Sequence, residues 1–431
     1  MNHERFVDVF HFQEVYSVPY TYLFNGTLID GTGSDPISDA AVLIKDDTIV
    51  AVGPRTEIQV RVDDRVEQID VHGATILPGF IDCHVHITSE AFGTQDPYAT
   101  PFTYRVLQTA QYAKATLEAG ITSIRDAGGA DRGIQRAFDE GIILGPRTQI
   151  SVTMLSITGR HGDAHSALLG YPLNNPLLVD GVCDGVDGVR KKVREVIRAG
   201  AQIIKVATSG GVISPTDNPE DAHFTLEELK TIVHEAGMHG GIKAMAHAQA
   251  AEGIKNAVRA GFHSIEHGIY LDDEAIDLML QSGTYLVPTL VAPLAVLKAF
   301  DEGLRVPQYA VEKTKRVIEA HQTSIAKAKS QGVKIAMGTD SGVGHHGTNL
   351  EELTLLAEIG MTPMEAIVAG TRTAAECLGW QQRVGTIEVG KLADIAVSQA
   401  NPLQDLACLQ QNHNMVLVLQ GGRVIKNQLP A

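Results

Sequence analysis

His84 and His86 stand two residues apart in the run G-F-I-D-C-H-V-H-I, residues 79–87. A short apolar run behind Pro78 and Gly79 reads as a buried strand. Strand side chains alternate faces, so both imidazoles point the same way from Cα atoms roughly 6.6 Å apart, at about 3.3 Å per residue. Two imidazoles converging from one rigid strand make half of a metal site. Alone, the pair reads equally as two polar core residues, each held by a hydrogen bond, so the decision falls to other ligands.

Four residues supply them. Lys205 lies inside I-I-K-V-A, His247 closes I-K-A-M-A-H, His267 closes H-S-I-E-H, and Asp340 closes K-I-A-M-G-T-D. Each has an ordinary structural reading: a satisfied histidine, a snorkelling lysine, a turn aspartate. All six at the ends of apolar strands form a metal-ligand set. Lys205 says which kind, because an ammonium inside an apolar strand is costly and repels a cation. Carbamylation by CO2 converts it to an anion with two oxygens, able to bridge two metals. The expected site is binuclear, with His84, His86 and Asp340 on one ion and His247 and His267 on the other. Carboxylated Lys205 and a hydroxide lie between them. Mixed nitrogen and oxygen ligands suit Zn2+, with Mn2+, Co2+ or Fe2+ as alternatives. Two such ions lower the pKa of bound water towards about 7. Asp340 then takes the proton of the attacking water and passes it to the leaving amine.

Those strand ends need a scaffold. From residue 80 to 378 strand-like runs alternate with helical stretches at 104–118, 186–198, 226–238, 250–260, 273–281 and 311–330. Several of these stop at a glycine: Gly120, Gly200, Gly261, Gly283 and Gly332. Eight strands with intervening helices fit an α/β (β/α)8 TIM barrel, whose functional residues sit at the C-terminal ends of its strands. A doubly wound sheet is the fallback, but no G-x-G-x-x-G follows an early strand. Hairpin-like runs before residue 78 recur after 381, so both chain ends are expected to pair into a small β-sandwich domain. The domain reading is 1–78 and 381–431 for the sandwich and 79–380 for the barrel.

The 431 residues are 44% hydrophobic and 20% charged, with 35 basic against 51 acidic side chains and a net charge of −16. That composition supports a large core, and that charge disfavours nucleic acid and acidic membranes as partners. Residues 1–20 lack an apolar leader run, and no stretch is long and apolar enough to span a bilayer. Cys83, Cys183, Cys377 and Cys408 lie far apart with no C-x-x-C spacing, which fits a reducing cytoplasm; export after removal of a signal is the alternative.

P-G-F-I-D-C-H-V-H with Lys205, His247, His267 and Asp340 resembles the amidohydrolase superfamily across the barrel and both halves of the β-domain. Longer strings are similar to its metal-dependent prolidase-like branch, which includes Xaa-Arg/Lys carboxypeptidases, prolidase-type dipeptidases and ochratoxin-type amidases. These are I-I-K-V-A-T-S-G-G-V, A-E-G-I-K-N-A-V-R-A-G, S-I-E-H-G-I-Y-L-D-D-E and G-T-D-S-G-V before H-G-T-N-L-E-E-L. The resemblance implies hydrolysis of the amide or peptide bond to a C-terminal amino acid, in a dipeptide or N-acyl amino acid, by a homo-oligomer. Two departures touch specificity. T-G-R-H-G-D has Arg160 where the branch typically has glycine, and Ala248 and Gln249 follow His247 where relatives often carry histidine or tyrosine.

A substrate carboxylate needs donors near the metals. Arg160 and His161 are candidates, since a guanidinium grips a carboxylate through two bonds. The alternative pairs Arg160 with a local acid and leaves His161 ordering its loop. Tyr270 could donate to the carboxylate or to the tetrahedral oxyanion, or simply pack. His346, beside His345, either lines the pocket or caps the following helix. Asp163, Asp217 and Asp221 read as solvated loop acids. Two other functions stay open. A mononuclear deaminase or cyclic amidohydrolase would not need Lys205, and a catalytically silent scaffold would have no need of six ligands.

Overall fold

The computed structural model describes residues 20–59, 65–94, 100–163, 165 and 179–430. The reading of residues 1–20 as lacking a leader therefore lies almost wholly outside them. No helix among the described residues is long and apolar enough to cross a membrane.

The first strands are β1 (Tyr20–Leu28), β2 (Ile37–Lys45), β3 (Thr48–Pro54), β4 (Val66–Asp70) and β5 (Thr75–Pro78). The parallel strands follow: β6 (Phe80–Val85), β7 (Ile121–Asp126), β8 (Arg147–Ile150), β9 (Met154–Leu155), β10 (Ile203–Ala207), β11 (Lys243–Ala248), β12 (Ser264–His267) and β13 (Tyr285–Val287). The chain closes with β14 (Ile395–Ser398), β15 (Met415–Gln420) and β16 (Arg423–Asn427). Helices α1 (Phe102–Glu118), α2 (Arg132–Asp139), α3 (Gly185–Arg198), α4 (Leu226–Met238), α5 (Ala251–Ala260) and α6 (Asp273–Ser282) come first. Helices α7 (Val291–Asp301), α8 (Gln308–Ser330), α9 (Glu351–Glu358), α10 (Pro363–Ala369) and α11 (Arg372–Leu378) complete the set.

The expected helices appear within a few residues of their expected bounds. Leu226–Met238 matches at both ends because Thr225 and Glu228 form a reciprocal cap, each side chain satisfying the other's backbone N–H. Gly261 and Gly283 end α5 and α6 with φ of 95° and 70°, a left-handed stop that a Cβ would penalise.

Strands β6 to β8 form one parallel sheet and β9 to β13 another. The strand-like run Q-I-S-V-T-M, residues 149–154, divides into β8 and β9, and Val152 between them is held at φ 68°. The eighth expected strand, K-I-A-M-G-T-D, is not a regular strand, yet its backbone joins both sheets. Leu286 donates to Lys334 O at 2.8 Å, Cys83 to Met337 O at 3.0 Å and Asp340 to His84 O at 2.7 Å. The arrangement is of the TIM-barrel type with an extra domain. It is not one continuous closed sheet.

Both chain ends build the extra domain. β14 runs antiparallel to β5, with Ile395 opposite Pro78 and Ser398 opposite Thr75. Hydrogen bonds link all eight of its described strands into one sheet. The long β1 explains this: it pairs with β2, with β4 along residues 20–24 and with β5 through Thr27 and Leu28. Leu23, Val42, Ile76, Ile395 and Leu417 share its core. Arg147 Nη1 reaches Asp394 Oδ2 at 2.5 Å, tying β8 to the residue just before β14.

Candidate metal centre

The strands bring His84, His86, Lys205, His247, His267 and Asp340 to the wall of one cavity of about 1070 Å3. Its volume suits a small molecule, and Phe92, Ile134, Ile143, Ile213, Ile269 and Val296 give it an apolar body.

Each histidine has one nitrogen fixed by an acceptor, which puts the lone pair on the other. His84 Nδ1 donates to Glu266 Oε2 at 2.8 Å and His86 Nδ1 to the Gly128 carbonyl at 2.8 Å, so both lone pairs are on Nε2. His267 Nδ1 lies 2.7 Å from Thr289 Oγ1, whose proton goes to Pro288 O; the hydroxyl therefore accepts, and Nε2 is again free. His247 is reversed, with Nε2 donating to Gly210 O at 3.1 Å and Nδ1 left free.

Electrostatics suit the same role at three of the four histidines. Burial holds His84, His247 and His267 well below the ordinary imidazole value, so each is neutral at pH 7, as a metal ligand must be. His86 differs, because its burial is outweighed by the Asp340 carboxylate, which raises it. Burial also pulls Lys205 down to about 8, against the pull of Glu266 and Asp340. Its Nζ sits 3.1 Å from His84 Nε2. Burial alone would raise Asp340, but His84, His86 and Lys205 outweigh it and hold the carboxyl well below the usual range. Asp340 Oδ1 lies 3.5 Å from His84 Nε2 and 3.3 Å from His86 Nε2 and has no hydrogen-bond partner. An orphaned buried carboxylate oxygen facing two imidazole lone pairs fits a divalent cation. The donor atoms of His84, His267 and Asp340 all lie within 4.8 Å of one another. That trio crosses the expected partition, which gave His267 to the other ion.

The backbone is distorted at and beside these side chains. His267, Thr289 and Asp340 have φ of 72°, 52° and 60°, a region unfavourable to residues with a Cβ and concentrated at functional sites.

Of the expected substrate contacts, only His161 reaches the wall. Its ring stacks on His247 with centroids 4.1 Å apart, and its Nδ1 is buried without a partner. Burial lowers it to about 4. Arg160, Tyr270 and His346 are not among the wall residues. Arg160, 43% exposed, has Nη1 3.3 Å from Asp221 Oδ2, the local-acid alternative. The Tyr270 hydroxyl donates to Glu220 Oε1 at 3.0 Å. His346 Nε2 donates to Ser89 O at 2.7 Å, and its ring stacks on Tyr112. In each case a nearer partner has taken the polar group that was to meet substrate.

Sequence reasoning missed the layer behind the ligands. Glu266, fully buried, binds His84 and also accepts from Arg125 Nη2 at 2.9 Å and Ser264 Oγ at 2.5 Å. Arg125 is itself wholly buried and donates Nε–H to Cys83 O at 2.7 Å. The signal was available: a charged residue inside the apolar run I-T-S-I-R-D needs a buried counter-charge, as Lys205 does. Arg105 also lines the cavity, with a buried Nε lacking a partner; nothing in its helical surroundings singles it out.

The model of the amidohydrolase family matches residues 75–425. Ochratoxinase from Aspergillus niger is 35% identical over 430 residues, covering 94% of this chain and 86% of that protein. Imidazolonepropionase from Geobacillus kaustophilus is 29% identical, with 91% of each covered. The crystal structure of a Xaa-Pro dipeptidase with bound methionine in the active site superposes with a TM-score of 0.87 at 33% identity, covering 94% of this chain and 99% of that one.

Proposed function

This chain belongs to the amidohydrolase family, and from that premise we propose that it is a binuclear metal hydrolase of the amide or peptide bond to a C-terminal amino acid. It is a hydrolase acting on C–N bonds; the two-metal site and the substrate are the proposed part. The observation that carries the proposal is Lys205, buried at 1% exposure with Nζ 3.1 Å from His84 Nε2. A lysine there serves a one-metal site poorly, and as a carbamate it serves a two-metal site well. The eight parallel elements, counting β8 and β9 as one and residues 334–341 as the last, are read as one ring around that site.

His84, His86 and Asp340 would hold one ion and His247 and His267 the other, with carboxylated Lys205 common to both; His267 also lies within reach of the first. Two divalent ions, Zn2+ on this donor set, would supply an activated water and polarise the substrate carbonyl. Asp340, ionised at neutral pH, accepts the proton of the attacking water and returns it to the leaving nitrogen. His161 and Arg105 offer N–H groups for the substrate carboxylate, and Arg105 takes the role first given to Arg160. The apolar wall accommodates a side chain or acyl group.

Ochratoxinase and the Xaa-Pro dipeptidase support amide hydrolysis; the imidazolonepropionase likeness keeps the cyclic amidohydrolase reading alive. All four cysteines are free and buried, in keeping with a reducing compartment. The test combines metal analysis with hydrolysis of dipeptides and N-acyl amino acids, each beside its C-terminal amide. About two ions per chain and a strong preference for the free carboxylate are expected. One ion per chain, with turnover of cyclic amides instead, would transfer the assignment to the second reading.

A further inference from the structure

On the cavity wall stands one buried acceptor that the metal reading leaves unused. Gln249 follows His247 by two residues and is 4% exposed, and its side-chain oxygen Oε1 has no hydrogen-bond partner. Its backbone is pinned on both sides. The Gln249 N–H donates to Ser209 Oγ at 2.7 Å, and its carbonyl accepts from Tyr270 N–H at 2.9 Å. The amide group therefore projects from a fixed point beside a metal ligand. A buried acceptor left unpaired is costly, and a donor brought by a ligand would remove that cost.

The other orphaned polar atoms on the wall have accounts already. Asp340 Oδ1 faces the cations, and Arg105 Nε and His161 Nδ1 face the carboxylate in the reading above. A substrate whose carbonyl is held at the metals presents one hydrogen-bond donor a single bond from the reacting carbon: the scissile N–H.

We propose that Gln249 is a specificity-determining residue whose Oε1 accepts a hydrogen bond from the scissile N–H, so that the enzyme selects secondary amides over substrates whose scissile atom carries no hydrogen. Proline-terminated dipeptides, N-methyl amides and esters belong to the disfavoured class. This rests on the amidase reading and names its substrate class. A site built to bind an N–H rejects the analogue lacking it because the acceptor is then left buried and unpaired.

The experiment uses metal-loaded full-length protein and two substrates: a dipeptide of two apolar residues, and the depsipeptide in which an ester oxygen replaces the scissile N–H without added bulk. The quantity read is the amide-to-ester ratio of kcat/KM, within which folding yield and metal occupancy cancel. In Gln249→Leu the ratio is expected to fall about 10- to 100-fold from wild type. In Gln249→Glu, which keeps an acceptor oxygen, it stays near the wild-type value. An unchanged ratio in Gln249→Leu, or equal wild-type rates on dipeptides ending in proline and in alanine, overturns the proposal while leaving the amidase reading intact. Failure of the wild type to hydrolyse any dipeptide or N-acyl amino acid overturns both.

Discussion

His84 Nδ1 lies 2.8 Å from Glu266 Oε2, and neither side chain is more than 1% exposed. The carboxylate fixes the tautomer of the ring and aims its other nitrogen at the cavity. Glu266→Gln keeps the shape and removes the charge, and is expected to weaken Zn2+ affinity by about 10- to 100-fold. Competition with a chromogenic chelator measures it. Glu266→Ala does more, because it strands Arg125 in the interior; urea unfolding of that variant is expected to show a loss of about 3–5 kcal/mol.

Lys205→Ala removes the proposed bridge. Metal content is expected to fall below that of the wild type and most activity to disappear, with partial recovery when a small carboxylic acid fills the space. Full activity with two ions retained would remove the carbamate from the mechanism.

Gly211 has no Cβ because His161 occupies the place of one: a Cβ built there would lie 2.4 Å from His161 Cε1. Gly211→Ala must therefore push the imidazole from its stack on His247. A displacement of about 1 Å near the reacting groups costs up to about 100-fold in rate. Steady-state kinetics should show that fall in kcat/KM, and the same substitution in a His161→Ala background should have far less effect.

Glu352 offers a pH dependence of stability. Burial pushes its carboxyl up to about 8, although it accepts N–H bonds from Leu290 and Val291, each at 2.9 Å. The folded pKa exceeds the unfolded value near 4.5, so between those values the folded protein holds a proton that the unfolded chain has released. The contribution of Glu352 to stability is whole below about 4.5, declines as pH rises and is gone above about 8. The difference in unfolding free energy between wild type and Glu352→Gln, measured by urea titration across that window, should therefore drop as the pH is raised.

The candidate ligands were legible because strand ends are. His84, Lys205, His247 and His267 each close or interrupt a short apolar run, and a charged or polar residue there contradicts its surroundings. What supports them was harder to see. Glu266 belongs to the same run as His267, but its partner Arg125 is 141 residues away, and no local pattern announces that pairing. The rim was least legible of all. Arg160, Tyr270 and His346 have the right chemistry, and each is engaged elsewhere by the way its loop folds. The break between β8 and β9 was equally silent, since left-handed backbone at a valine is imposed by packing and runs against its preference.

β14 fills the edge of β5, at Thr75–Pro78, and it is made some 320 residues later in the chain. During synthesis the strand leading into His84 is thus exposed along one side until the barrel and then the last strands have emerged. An unpaired edge is a template for pairing with another chain. The order of manufacture thus sets a quality requirement on the cell: the segment between must collapse on its own, and quickly, or the first strands will find a neighbour before they find β14.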